Sequence, residues 1–497
     1  MPETPRWQRA LAELPIVVMA AAIVTLLVRT VWSRLDYPYD LEWMEGGMLL
    51  HAHRVLDGQG LYVMPEVDFI PFIYPPLYPF VVGMLGHIVE LGYTLGRAVS
   101  FAGVVAAAAA IVAAVRWERG GWGPAIAGAA LFFACYPDSG SFMDLVRNDG
   151  LLMGLVAWAV VLVRWERVRL AGLLLFLAFA TKHASAIYGL PAIIWLWRSA
   201  GRPRAIGYLI WSAGPALLFT IVMTLLTGGL FLTYILEVPA AHPFVFKRFI
   251  QTAPIELAKA LPWTSGLAVI AFGVFFRQLG RGGRYWLSQG VLAILLCMVM
   301  RGHHGGYLNV LMPGTWFLAL WGALAVSALR RRWPGLGMQV ATAALIAGQL
   351  WAARWSVTRY APTTADRLAG DAIVERLKQV DGEILAPWSA YLPKQAGKEG
   401  SVALIALWDI RHKRSPLTDE SRIIRKAIKK KHFGAILTAR TKSKKGLEGL
   451  GTHYKRAPFA EAPVGSCGRR KNWDKSVFCP KTGHPVKPQQ LWVPKLE

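Results

Sequence analysis

The sequence predicts an all-α polytopic membrane protein of about eleven transmembrane helices, with interfacial helices in its first outer loop and a small α/β extracytoplasmic domain at the C-terminus. Three observations predict it. The chain of 497 residues is 54% hydrophobic and only 17% charged, too apolar for a soluble protein of this size. Eleven apolar runs recur before residue 352. Beyond them the chain turns basic, with 29 Lys and Arg against 13 Asp and Glu from Arg354 onward.

The runs are Leu14–Trp32, Gly96–Val115, Trp122–Tyr136, Gly150–Val163, Leu170–Thr181, Ala184–Trp197, Ala205–Gly228, Trp263–Phe276, Trp286–Met300, Gly306–Leu329 and Gly335–Trp351. Most reach or approach the length that crosses about 30 Å of hydrocarbon. Leu170–Thr181 is short and reads with Ala184–Trp197 as a hairpin of short or tilted helices. The first run is too long for a cleaved signal peptide. Basic residues gather in short loops: Arg116 to Arg119, Arg164 to Arg169, Arg198 to Arg204, Arg277 to Arg284, and Arg330 to Arg332. The positive-inside rule makes these loops cytoplasmic. A cytoplasmic N-terminus and alternating spans then place all five inside. The same alternation puts residues 33–95, Pro137–Asp149, Lys182-His183, Phe231–Pro262, Arg301–Gly305 and the tail outside. The scheme requires Leu77–Leu91, also apolar, to dip into or lie on the membrane. Pro75-Pro76 suits a helix start there, and the amphipathic stretch Trp43–Leu56 suits the interface.

Two domains follow: a transmembrane domain over 1–355, with outer loop 33–95 as its catalytic element, and a basic α/β domain over 356–497. In the latter, Ala372–Val380 and Ser421–Lys431 read as helices, and Glu383–Pro387 and Ala435–Thr438 as strands. The net charge of +25 fits a solvated surface beside anionic lipid. No motif for nucleic acid accompanies it. Cys135 and Cys297 sit in apolar runs as buried small residues, while Cys467 and Cys479 in the polar tail are a candidate disulfide.

The densest chemistry lies just after the first run, in Asp40-Leu-Glu42-Trp-Met-Glu45. Charge beside a membrane is costly and marks function by default. A carboxylate there can serve as a general base or orient an acceptor, and the sequence leaves open which of Asp40, Glu42 and Glu45 does so. Asp144, Arg147 and Asp149 precede the Gly150 run. They form either one site with a phosphate-binding arginine or an internal brace. Lys182, between Thr181 and His183, is a phosphate contact or a snorkelling lysine. Arg301 is a second phosphate candidate. Its neighbours His303 and His304 carry only a weak metal signal, so no metal is assigned, and assistance by a divalent ion is left as an open alternative. His242 and Lys247-Arg248 fall in a loop suited to a lipid entrance.

The order of these features resembles the C-type polytopic membrane glycosyltransferases, in particular the bacterial branch similar to protein mannosyltransferases and rhizobial galacturonosyltransferases. The resembling elements are Glu45-Gly46, Arg54-Val-Leu-Asp-Gly58, Pro75-Pro-Leu-Tyr-Pro79, Asp144-Leu-Val-Arg147-Asn-Asp149, Leu170-Ala-Gly172 with Thr181-Lys182-His183, and Gly305-Gly-Tyr-Leu-Asn309-Val-Leu-Met-Pro313. The resemblance covers residues 14 to about 330. Met44 stands where the family has Asp, and His183 where it has Gln. The resemblance implies a polyprenyl-phosphate-linked sugar donor and transfer with inversion at the extracytoplasmic face of a bacterial inner membrane. It implies a glycolipid, polysaccharide or protein acceptor. Glu45, helped by Glu42 or Asp40, would then be the catalytic carboxylate that deprotonates or orients the acceptor. Lys182, Arg301 and Arg147 would bind the donor phosphate, and Asp144, Asp149, His183, Asn309 and Tyr74 would contact substrate. A lipid-linked substrate transporter and a non-catalytic envelope assembly protein are the competing readings. Transporters carry paired halves and mid-membrane charge, whereas here the halves differ and the charges cluster at one edge.

Overall fold

A computed structural model describes residues 5–274, 280–439, 446–458, 482, 488 and 490–495. Cys467, Cys479 and the loop Thr441–Lys445 lie outside the described residues. The eleven apolar runs are helical over most of their described length. The first nine helices are α1 (Arg6–Leu35), α2 (Glu45–Leu56), α3 (Leu77–Leu85), α4 (Tyr93–Trp117), α5 (Trp122–Ala134), α6 (Asn148–Arg164), α7 (Val168–Thr181), α8 (Gly189–Ser199) and α9 (Arg202–Leu226). The later long helices are Pro262–Val274, Arg281–Gly302, Met312–Arg332 and Leu336–Ala352. Among the described residues six helices are individually long and apolar enough to cross a membrane. A seventh is added if Arg248–Ala260 and Pro262–Gly273, bent by 100°, count as one span. The other runs form shorter helices. Exposed Leu217, Leu218, Leu225 and Leu226 on α9 are what a lipid-facing surface requires.

Gly103 and Gly150 set the approach of α4 to α6. A Cβ at Gly150 would lie 2.2 Å from the Ser100 carbonyl oxygen, and one at Gly103 would lie 2.2 Å from that of Gly150. Small residues let helix backbones touch where lipid offers no hydrophobic drive. The contact holds the start of α6, with Asn148 and Asp149, against the start of α4. Gly150→Val is therefore expected to lower the thermal-unfolding midpoint strongly, overpacking costing about 1–3 kcal/mol or more. A midpoint within a degree or two of the parent would refute this account of the contact.

α2 and α3 are too short to span and fold over one end of the bundle. Gly83 of α3 meets the Ala52 carbonyl of α2, where a Cβ would sit 2.6 Å away. At the same end lies a four-stranded sheet in the order β1-β2-β4-β3. Its strands are β1 (Ile384–Leu385), β2 (Ala435–Thr438), β3 (Tyr454–Ala457) and β4 (Gln490–Pro494). β1 runs parallel to β2, and β4 runs antiparallel to both β2 and β3. The first two strands fall where the sequence placed them. The tail's first helix differs: it runs Thr364–Lys378 rather than from Ala372, because Thr363 and Asp366 form a reciprocal capping box that starts it earlier. Among the described residues the tail has no private core. Ile373, Leu377 and Ala435 pack with α1 and α4 residues, while Leu404, Leu407 and Ile436 pack with Met48, Leu49 and Phe72 of the first loop.

Candidate active site

The acidic loop is anchored from below by a buried ion pair. Arg97, near the start of α4, donates through Nε and Nη2 to the two Glu45 oxygens at 3.0 and 2.9 Å. It also donates to the carbonyls of Arg34, Tyr37 and Tyr39 at 2.9, 2.5 and 2.7 Å. Glu45 further accepts the Leu41 and Val146 N–H groups at 2.6 and 2.8 Å. Burial works against its ionisation, yet Arg97 and these donors hold its carboxyl below the usual range. Asp40 accepts from Gly46 N–H at 2.8 Å and Tyr93 O–H at 2.9 Å. Its own burial and the nearby Glu45 charge push it up to about 8. A second buried pair, Arg34 Nε to Asp144 at 2.9 Å, fastens the end of α1 to the segment before α6.

Above this floor opens a cavity of about 860 Å³. Glu42, Tyr74, Arg147, Lys182, His183 and Asn309 line it from the membrane bundle and first loop. Their charges form a chain. Arg147 Nη1 lies 3.2 Å from Glu42 and its Nε 3.7 Å from Asp149. Lys182 donates to Asp149 at 3.2 Å and Asn309 does so at 3.0 Å. The Lys182 ammonium also sits 5.8 Å from the Tyr74 ring centroid. Lys182 reaches this place because α7 ends at Thr181 and the backbone turns extended at Lys182. Glu42 keeps one backbone bond, from Met44 N–H at 3.1 Å. Burial raises its carboxyl and Arg147 opposes the rise, leaving it at about 7. A carboxyl that titrates near neutrality, facing a cavity beside Arg147, has the attributes of a general base.

No family model and no curated protein matches the sequence. Among solved structures, ArnT from Cupriavidus metallidurans in the apo state aligns with a TM-score of 0.51 at 15% identity, over 77% of this chain and 84% of that one. ArnT from the same organism bound to undecaprenyl phosphate aligns with a TM-score of 0.47 at 13% identity, over 83% of this chain and 78% of that one. This chain has the ArnT fold. The polytopic architecture expected from the motif order is the one observed.

Within this ArnT fold the sequence-derived site residues divide into two groups. Glu42, Arg147, Lys182, His183, Asn309 and Tyr74 meet in the cavity, and Asp149 lies behind it as the counterion shared by both cations. Glu45, Asp40 and Asp144 do not line it. Glu45 has both oxygens occupied by Arg97 and backbone donors, so its geometry is that of a brace rather than of the leading acid. Asp144 is likewise spent on Arg34 and Tyr136. Arg301 lines the cavity, but Glu256 grips its guanidinium through two bonds of 2.8 Å, which leaves it less available to a phosphate. His303 and His304 face His242 and His412 rather than the acidic loop. Among the described residues no group of three His, Cys, Asp or Glu could hold a metal ion.

Sequence reading missed Arg97 and Arg34, both inside or beside apolar runs, and Glu256. It also missed a cavity wall supplied by the tail: Ile405, Trp408 and Asp409. The signal for that wall was present as one aspartate in the apolar string Leu404-Ile-Ala-Leu-Trp-Asp-Ile410.

Proposed function

We propose that the chain is an integral-membrane glycosyltransferase that moves a sugar from a polyprenyl-phosphate-linked donor to an extracytoplasmic acceptor with inversion. The observation that carries this reading is the Glu42–Arg147–Asp149–Lys182 array, of which Glu42, Arg147 and Lys182 line one cavity and Asp149 joins the two cations from behind. In the proposed mechanism Lys182 and Arg147 hold the donor phosphate. The acceptor hydroxyl oxygen attacks the anomeric carbon from the face opposite the phosphate. The bond from that carbon to the phosphate oxygen breaks, and its electron pair stays on the polyprenyl phosphate. Glu42 takes the hydroxyl proton. The cations act on charge that grows as the phosphate leaves, where preorganised electrostatics contribute most. Asp149 keeps both cations in place and balances their charge before donor binds.

The sidedness of the reaction follows in this reading from the basic residues at the other end of the bundle. Glu118, Arg164, Arg281, Arg331 and Arg332 line one pocket there, and the positive-inside rule makes that end cytoplasmic. The membrane is then the bacterial inner membrane, with donor and acceptor meeting on its outer face. The division of labour between a transmembrane unit up to about residue 355 and the tail beyond it belongs to the same proposal.

The test is transfer in vesicles containing the purified protein, radiolabelled polyprenyl-phosphate sugars and an envelope glycolipid extract. Lys182→Ala is expected to raise the donor KM at least tenfold and to lower kcat, a charge-assisted hydrogen bond to phosphate being worth about 1.5–3 kcal/mol. Donor movement across the bilayer without sugar transfer would instead support a transporter.

A further inference from the structure

The tail helix Leu404–Ile410 sorts its residues into two faces. Leu404, Leu407 and Ile410 are fully buried in the core shared with the first loop. Ile405, Trp408 and Asp409, at positions i, i+3 and i+4, face the cavity. Trp408 meets Trp43 of the acidic loop edge to face, with ring centroids 5.6 Å apart. Two indoles and a carboxyl from opposite ends of the chain thus form one wall. Glu42 directly precedes Trp43, so the wall adjoins the proposed base.

We propose that Trp408, Trp43 and Asp409 form the acceptor subsite and that its ligand is a carbohydrate ring rather than a peptide. The proposal rests on the glycosyltransferase reading and assigns the tail its part in it. An indole face carries negative quadrupole density, which suits the weakly positive C–H face of a pyranose. A carboxyl group beside it can both accept from and donate to sugar hydroxyls while it is protonated. The surroundings of Asp409 favour that form. Among its neighbours the described ion-pairing group is His242, whose Nε2 lies 3.7 Å from Asp409 Oδ1. The same Nε2 is 3.0 Å from the Asp409 backbone carbonyl. A carbonyl only accepts, so Nε2 carries the proton there. Burial pushes the Asp409 carboxyl up to about 8 and the His242 imidazole down to about 4. A neutral acid beside a neutral imidazole binds hydroxyls without demanding a counterion. Lys182 and Arg147, by contrast, are charged and matched to phosphate. The cavity is therefore divided into an anionic-ligand half built by the membrane bundle and a hydroxyl-ligand half built by the tail together with Trp43 of the first loop.

The experiment uses the full chain in lipid nanodiscs with no donor present. The probe is the water-soluble oligosaccharide obtained by deacylating envelope glycolipid, with a hydroxyl-rich peptide of similar mass as comparison. Binding is read by calorimetry and by tryptophan fluorescence. The expected result is saturable oligosaccharide binding that weakens at least tenfold in Trp408→Ala and in Asp409→Ala. Trp408→Phe should stay within threefold of the parent, because it keeps an aromatic face. Thermal unfolding of each variant separates lost binding from lost fold. Absence of oligosaccharide binding, preference for the peptide, or undiminished binding in folded Trp408→Ala and Asp409→Ala would each overturn the proposal. Because no donor is present, the result does not depend on whether transfer itself is observed.

Discussion

Glu42→Gln is expected to lower the transfer rate by about a hundred- to ten-thousand-fold, the range general-base catalysis supplies, while leaving the protein folded. The substitution is close to isosteric. The carbonyl oxygen of glutamine can still accept the Met44 N–H, so the loop keeps its local bond. What goes is the ability to take a proton, and with it the counter-charge to Arg147 at 3.2 Å. Arg147 retains Asp149 within 3.7 Å, so the cation is not stranded. Donor affinity should therefore change little or even rise, since one competing anion has been removed from the phosphate contact. The same reasoning fixes a pH dependence. The base form of Glu42 accumulates above its value of about 7, so kcat/KM should climb between pH 6 and pH 8. Transfer at more than a tenth of the parent rate in Glu42→Gln, or a flat profile over that interval, would remove Glu42 from the base role.

The helical architecture was legible because apolar length is a strong signal. The eleven runs became helices over most of their described length, and Leu77–Leu91, the exception to simple counting, holds a nine-residue helix too short to span. Short strands β1 and β2 were legible because they are apolar segments bounded by polar ones. The site was only half legible. Sequence distance explains the rest. Glu42 and Glu45 are three residues apart and chemically alike. What separates them is Arg97, 52 residues from Glu45, which occupies one and leaves the other for the cavity. Arg97 itself opens an apolar run, where a lone arginine reads as flanking charge. The Trp43 and Trp408 pair joins the two ends of the chain, and nothing local to either residue announces the other. The tail looked like a separate unit because its composition is basic. Its apolar residues, however, interleave with those of the first loop, as when Ala403 lies against Gly47, where a Cβ would stand 2.9 Å away.

Arg97→Leu is the substitution expected to damage the protein most, by about 3–5 kcal/mol, the usual result of removing one member of a buried ion pair. Glu45 would be left charged and fully buried with only two backbone donors. The loss exceeds that of a pair, because Arg97 also satisfies the carbonyls of Arg34, Tyr37 and Tyr39 where the chain leaves α1. Unmet buried carbonyls add their own penalty. The loop carrying Glu42 hangs from these bonds, so Arg97→Leu should lose both folded yield and activity. Glu45→Gln should be milder in stability, keeping at least one Arg97 bond, and should lose activity in step with its folded fraction. The combination Arg97→Leu with Glu45→Leu should recover part of the stability, since no charge is then stranded, yet not all of it, since the three carbonyls stay unmet. Folded yield in detergent and unfolding midpoints for the three variants decide the matter. If Glu45→Gln were fully folded and inactive, with the pH limb near 7 abolished, the proton-accepting role would return to Glu45, and the Arg97 pair would be part of the chemistry rather than its foundation.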